Sequence, residues 1–433
     1  MFTVALATLG CKVSQYETEA VGEAFEGQGF RIVDFSSFAD VYVINTCTVT
    51  SESDRKSRQM IRRATRLNPH AVVMVMGCYA QTSAEEIAQI PGVSYVSGTN
   101  GKMLLPGQAL ALLARREESP LVCVSALEGA AFEKMSVFRA PRTRAYVKIE
   151  DGCECRCTYC AIPGARGDVR SKLPEDVLRE VETLVKGGTR EVVLTGIETA
   201  SYGVDLDGYR LINLLEMLDA RSAVSRIRLG SLTPELMRED FVHRLASLSK
   251  IVPHFHLSMQ SGSDSVLRGM KRRYNARMAL EALERLRNAI PRVQFTTDMM
   301  VGFPGESEAH FEETMAFTRQ ARFLDMHVFA YSRRKGTPAA DYADQVSEPI
   351  KKERSARLIS LAGEIRAQEL DRIVRRREPL TVLLETQEKG IWRGHSDEFA
   401  PVCISSDRDM HGELIRCMPL VLENGEITAS LIE

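Results

Sequence analysis

Asp151–Gly167, DGCECRCTYCAIPGARG, lies near the middle of the 433-residue chain and concentrates its chemistry. Cys153, Cys157 and Cys160 stand there in a C-x3-C-x2-C array. Three thiolates on one short loop hold three irons of a 4Fe–4S cube and leave the last one open to substrate, whereas a fully ligated cube mostly moves electrons. Zinc is the competing metal, because C-x2-C is also zinc spacing. Cys155, Cys157 and Cys160 form a second possible metal triad. The flanking Tyr159 and the Ile162-Pro163-x-x-Arg166-Gly167 run favour the cluster, with Cys155 as a bystander thiol.

At roughly 150 residues per domain, a chain of this length has room for about three domains. Hydrophobic residues make up 44% and the formal net charge is −2. Real cores are therefore expected, and any affinity for nucleic acid must come from local patches. No run of about 18 apolar residues occurs, which predicts no membrane span. The start, MFTVALATLGCKVSQYETE, lacks a basic n-region, so no signal peptide is expected. Ten cysteines without an export signal read as reduced ligands in the cytoplasm, not as disulfides.

Residues 1 to about 135 alternate apolar and amphipathic segments. Thr3–Leu9, Val41–Asn45 and Ala71–Met76 are short and apolar or β-branched, as buried parallel strands are. Glu17–Gln28, Ser51–Asn68 and Ser83–Gln89 carry helical patterning, with Ser51 and Ser83 as N-caps. This alternation predicts a doubly wound α/β sheet. Cys11, Cys47 and Cys78 each follow one of the three strands. Ligands of open α/β sheets bind outside the carboxyl ends of the strands, so these thiols read as a second metal-ligating set. Buried cysteines acting as small apolar side chains are the alternative. Cys123, in the separate run Leu121–Val124, reads as core.

From Arg144 six strand-like runs follow, separated by helical stretches: Ala145–Ile149, Glu191–Thr195, Arg226–Gly230, His254–Met259, Gln294–Val301 and Met326–Tyr331. They predict a (β/α)6 partial barrel with its chemistry at the C-terminal strand ends. Thr195, Gly196 and Glu198 follow the second strand, Ser258 and Gln260 the fourth, and Gly302 the fifth. A glycine lets the backbone approach a ligand, and hydroxyl and amide groups suit a ribose; together they suggest a small-molecule site.

The motifs T-L-G-C-K-V-S-Q-Y-E-T-E, I-N-T-C-T-V-T, G-C-Y-A-Q, the cysteine loop, H-F-H-L-S-M-Q-S-G-S-D and D-M-M-V-G-F-P-G-E resemble, in this order, those of the radical S-adenosylmethionine (SAM) methylthiotransferases. The likeness covers nearly the whole chain. It implies a methylthiotransferase domain over residues 1–135, a radical SAM core over 140–370 and a small TRAM-like β-barrel over 371–433. It also implies two 4Fe–4S clusters. One, on Cys153, Cys157 and Cys160, would reduce SAM; the other, on Cys11, Cys47 and Cys78, would deliver sulfur, and a second SAM would supply the methyl group. Tyr159, Thr195, Gly196, Glu198, Ser258, Gln260 and Gly302 would position SAM, with no side chain assigned as general base. The motif around the first cysteine is most similar to the MtaB type, which converts threonylcarbamoyladenosine beside the tRNA anticodon (position 37) to its 2-methylthio derivative. Expected partners are tRNA, an electron donor such as flavodoxin or ferredoxin, and a sulfur source. The alternatives are family members acting on isopentenyladenosine or on a ribosomal-protein aspartate, and a non-catalytic, metal-loaded RNA-binding protein.

Lys351–Arg377 is helix-like and basic, ending in Arg375, Arg376 and Arg377. Such a run is either a solvated face or a track for phosphates. The short strands after Pro379 carry acids at Asp397, Glu398, Asp407 and Asp409.

Overall fold

The computed structural model describes residues 1–115, 117–140 and 142–432. Its first sheet is built by β1 (Thr3–Thr8), α1 (Lys12–Gly27), β2 (Arg31–Val33), β3 (Val41–Thr46), α2 (Ser51–Leu67), β4 (Val72–Gly77), α3 (Cys78–Thr82), α4 (Ala84–Ala88), β5 (Val93–Ser97), α5 (Leu105–Ala114) and β6 (Leu121–Cys123). The strands lie parallel in the order β2-β1-β3-β4-β5-β6. Alternate residues feed two cores. Val41, Val43, Val72 and Met74 face Val21 and Phe25 of α1 and Leu105 of α5. Tyr42, Ile44, Val73 and Val75 face Ile61 and Ala64 of α2. Burial on both faces is why β3 and β4 read as continuous apolar runs.

Local details differ from the sequence reading. β2 has only three residues on a sheet edge, too few for any periodicity to register. α1 begins at Lys12, five residues before the helical patterning becomes regular. The cap of α2 is Thr50, whose hydroxyl accepts the Ser53 amide at 3.1 Å, and Ser51 is already helical. Ser83 precedes α4 without a side-chain cap. Cys123 is exposed and not core, because β6 is the last strand of the sheet and all three of its residues are open to solvent.

The second body comprises β7 (Arg144–Lys148), β8 (Glu150–Asp151), α6 (Ile162–Arg166), β9 (Arg170–Ser171), α7 (Pro174–Lys186), β10 (Glu191–Thr195), α8 (Leu211–Arg221), β11 (Arg226–Leu229), β12 (Ser231–Leu232), α9 (Glu239–Ala246), β13 (His254–Leu257), α10 (Asp264–Gly269), α11 (Ala276–Ala289), β14 (Gln294–Val301), α12 (Glu308–Ala321) and β15 (Asp325–Ala330). Parallel ladders β7-β10-β11 and β12-β13-β14-β15 curve into an open barrel. The two arcs meet where β11 runs on into β12. Helix α13 (Glu348–Arg376) then leads to a closed five-stranded barrel of β16 (Leu380–Glu388), β17 (Ile391–Ser396), β18 (Pro401–Ser405), β19 (Leu414–Glu423) and β20 (Glu426–Leu431). Leu370 and Ile373 of α13 are buried in its core.

This small barrel caps the N-terminal end of the larger one. Phe399, at φ +71°, stacks on His254 at 4.5 Å and on His395 at 4.8 Å. The guanidinium groups of Arg228 and Arg144 lie 5.0 and 5.8 Å from its ring centre. Arg228 also donates to the Ser396 and Asp397 carbonyls. Asp397 and Glu398 are structural acids here: Arg292 pairs with Asp397 at 3.2 Å, and Arg376 pairs with the buried Glu398 at 2.5 Å. Among the described residues no helix is long and apolar enough to cross a membrane.

Candidate active site

The cysteine loop leaves β8 at the C-terminal end of the barrel and is pinned by backbone bonds. Cys153 N–H donates to the Gly167 carbonyl at 3.0 Å, Cys160 N–H to the Cys157 carbonyl at 3.1 Å, and Thr158 N–H to the Met270 carbonyl at 3.1 Å. Cys160 feels the charges of Cys157 and Cys155, but among the described residues Cys153, Cys157 and Cys160 do not have all three sulfurs within 4.8 Å of one another. Burial pushes the Cys160 thiol up to about 12 and raises Cys157 as well. Such thiols give up their protons only to a cation, and metal binding is what releases them. Sulfurs of Cys153 and Cys155 and a carboxylate oxygen of Glu198 lie within 4.8 Å of one another. Cys155 therefore stands among the donors. Its contact with Cys153 pulls its thiol down to about 6.

Around this loop the strand ends supply polar groups. Thr195 is buried at the end of β10. A side chain at Gly196 would collide with Glu150 Oε2, which instead accepts the Glu198 amide at 2.8 Å. Burial, then the charge of Cys155, pushes the Glu198 carboxyl up to about 8. Ser258 offers its carbonyl to Arg272 at 3.2 Å and to the Tyr274 hydroxyl at 3.1 Å. Gln260 holds a left-handed φ of +64°, bonded through its backbone to Asp298 and Met300. Its buried Oε1 has no partner among the described residues, nor does Glu235 Oε2. Unpaired buried acceptors beside a close-approach glycine fit a polar cofactor such as SAM. Tyr159, between two of the cysteines, packs against the buried cluster of Val266, Met270, Met300, Phe303, Tyr331 and Ala339. Gly302 is different: its φ is +72°, and an added side chain would strike Lys351 of α13, so packing accounts for the glycine.

The second set of thiols gathers at the edge of the first sheet. Cys11 follows β1 and Cys47 follows β3, flanking the switch point where the strand order reverses, and Cys78 follows the adjacent β4. Cys78 feels both other sulfurs, and burial pushes it up to about 12. Arg166 of α6, fully buried, donates its Nε–H to Cys78 Sγ at 3.1 Å and pairs with Glu17 at 2.5 Å and Asp151 at 3.2 Å. These three sulfurs, one of them already accepting a charged N–H, form a donor set suited to a three-ligand cluster. The same arginine ends the cysteine loop, so the two thiol sets are joined through one side chain.

The Radical SAM superfamily profile matches residues 147–318, and that of Uncharacterized protein family UPF0004 matches residues 3–98. The chain is 43% identical, over 96% of its length and 93% of the relative's, to Threonylcarbamoyladenosine tRNA methylthiotransferase MtaB of Bacillus subtilis (strain 168). The chain belongs to the radical SAM methylthiotransferases. It is also 36% identical to tRNA-2-methylthio-N(6)-dimethylallyladenosine synthase of Carboxydothermus hydrogenoformans, with 83% of each chain covered. Among solved structures, the radical SAM methyltransferase TsrM from Kitasatospora setae shares the fold. Its TM-score is 0.59 at 18% identity, covering 78% of this chain and 77% of that one.

Several residues of this methylthiotransferase site escaped sequence reasoning. Arg272 donates to Cys157 Sγ at 3.4 Å and stacks over Tyr274. The run K-R-R-Y at 271–274 was the available signal. Hydrogen bonds from His256 and His327 outweigh burial and hold Asp298 well below the usual carboxylate range. Lys12, beside Cys11, keeps solvent-accessible surface along its side chain but has protein packed closely around its ammonium. Burial against the surrounding chain, then Arg228 and Arg144, lower its pKa, and Asp298 opposes them.

Proposed function

We propose that this enzyme is a tRNA methylthiotransferase that converts threonylcarbamoyladenosine at position 37 to its 2-methylthio derivative. The single observation carrying this reading is the 43% identity, over 96% of the chain, to a relative of that name. Cys153, Cys157 and Cys160 would hold one 4Fe–4S cluster, and Cys11, Cys47 and Cys78 a second. When bound, these groups and SAM supply the reducing electron, the hydrogen-abstracting radical, the sulfur and the methyl group. The chain's own residues bind and orient. Arg272 N–H supports the Cys157 sulfur, Gln260 Oε1 and Thr195 offer polar contacts to SAM, and Glu198 holds a proton at neutral pH. Lys12 and the ionised Asp298 set the charge beside Cys11.

Tyr159, Ser258 and Gly302 belong to the same proposal, with Gly302 acting through packing. An electron donor such as flavodoxin or ferredoxin, a sulfur source and a cytoplasmic location complete it. Mass spectrometry of tRNA nucleosides from a deletion strain tests the substrate. Loss of the methylthio-threonylcarbamoyl nucleoside alone is expected; an unchanged nucleoside profile rules the reading out. The Cys153–Cys155–Glu198 grouping could also hold zinc, the metal of the alternative reading as a metal-loaded RNA-binding protein. Anaerobic reconstitution separates the two: iron matching two cubes supports the enzyme, and stoichiometric zinc without iron supports the binding protein.

A further inference from the structure

Helix α2 carries six cations, Arg55, Lys56, Arg58, Arg62, Arg63 and Arg66, against two carboxylates, in a chain whose net charge is −2. Positive charge is therefore concentrated on one element of a nearly neutral protein. Ser57, Ile61 and Ala64 turn one face of the helix into the core. Spacing of three and four residues puts Arg55, Lys56, Arg62, Arg63 and Arg66 outside, and all five are exposed. Neither carboxylate is available to neutralise the far end of this face. Glu52 is shared by Arg55 and Lys56, and Asp54 is held by Arg334 at 2.7 Å.

Arg62, Arg63 and Arg66 have no carboxylate within 4.0 Å among the described residues. Asp34 is within electrostatic reach of Arg63 but does not pair with it. Lys56, Arg62, Arg63 and Arg66 border a groove of about 700 Å³ with Leu9 and Pro91. Leu9 lies two residues before Cys11, and α2 starts four residues after Cys47. Leu9 brings one end of the groove next to the Cys11 loop, and the groove runs from there along α2 toward Arg66 and Pro91 at the strand starts. From Lys56 to Arg66 the helix advances about 15 Å, enough to follow several phosphates of one strand.

The basic end of α13 is spent differently. Arg376 holds the buried Glu398, and Arg375 pairs with Asp371 at 2.7 Å.

We propose that the exposed face of α2 is the docking surface for the sugar–phosphate backbone of the substrate RNA. This rests on the tRNA reading above and adds the place where the RNA lies. Guanidinium groups held on a rigid helix without a carboxylate partner, although Arg66 donates its Nε–H to the Arg62 carbonyl at 3.2 Å, suit phosphate oxygens, and displaced counterions make such contacts salt-dependent. The contacts carry position, not sequence, so base recognition belongs to the thiol-lined site.

The test is binding of full-length hypomodified tRNA to the whole reconstituted protein, followed by fluorescence anisotropy over a range of salt concentrations. The combined change Arg62→Gln, Arg63→Gln and Arg66→Gln is expected to lower the log–log salt slope by about 2 and to weaken binding about tenfold or more at low salt. The matching Arg→Lys set is expected to keep the slope, because charge and not shape is removed by glutamine. Thermal unfolding of each variant checks that the helix is intact. Hydrogen exchange should slow over residues 55–66 when tRNA binds to the parent protein. A parent with no salt-dependent tRNA binding overturns the substrate reading and this surface with it. A parent that binds, beside a glutamine variant of unchanged slope or with unprotected 55–66 amides, overturns the surface alone.

Discussion

Cys47 and Cys157 lie at the strand ends of different sheets, so their removal should separate two chemistries. Cys157→Ala is expected to abolish 5′-deoxyadenosine formation from SAM, since two thiolates do not hold a cube firmly. Cys47→Ala should still form 5′-deoxyadenosine under strong reductant but yield no methylthiolated tRNA. Measuring both products in one reaction distinguishes them, and thiolated product at parental yield from Cys47→Ala would remove that thiol from sulfur delivery. Cys155→Ala is the control. Retained cleavage leaves Cys155 a neighbour of the cluster, and lost cleavage puts it in the ligand set. Arg166 offers a further single-residue test. Arg166→Leu strands Glu17 and Asp151 in the interior, with Lys102, Lys148 and Arg170 as the remaining cations. Breaking such a pair costs about 3 kcal/mol, to be read as a shift in chemical denaturation, and Arg166→Lys should recover part of it.

Among elements, the starts of β7, β10 and β11 share one buried cluster. Glu191 receives Arg144, Arg226 and Arg228, and although burial opposes its charge, these cations hold its carboxyl down at about 2. The stabilisation is fully present above the ordinary carboxylate pKa of 4.5 and is lost as pH falls through about 2. Glu191→Gln should therefore flatten this acid limb of the stability–pH curve. At neutral pH it should destabilise by about 3–5 kcal/mol, because the buried Arg226 and Arg228 lose their counter-charge while the half-buried Arg144 keeps Glu385. An unchanged acid limb in the variant would show that other carboxylates set it. The cluster also receives Phe399 from the small barrel, so strand starts and the C-terminal module are stabilised together.

For the whole molecule, buried polar contacts join the three bodies beside shared apolar ones such as Ala20 in the second body's core and Leu324 in the small barrel's. Tyr16 donates to Glu180 at 3.0 Å, Lys148 pairs with Glu17 at 2.7 Å, and Phe399 closes the bottom of the barrel. Truncation after Arg377 should expose Leu370, Ile373 and His254 and lower the unfolding midpoint of the remaining chain, a loss visible by calorimetry. An unchanged midpoint would make the small barrel an independent appendage. Strand periodicity, the order of the cysteine motifs and the alternation of α and β were legible in the chain, because each depends on residues close in sequence. So β3, β4, β10 and β14, and the strand ends bearing Cys11, Cys47 and Cys78, were visible without coordinates. Contacts between distant residues were not: Arg166 on Cys78, Arg272 on Cys157, and Asp397 and Glu398 on Arg292 and Arg376 join positions 22 to 115 residues apart. Only packing could decide that Gly302 meets α13, that Cys123 lies on an edge, and that Arg62, Arg63 and Arg66 of α2 keep no carboxylate partner among the described residues, because charge pairing depends on which groups the fold brings within reach.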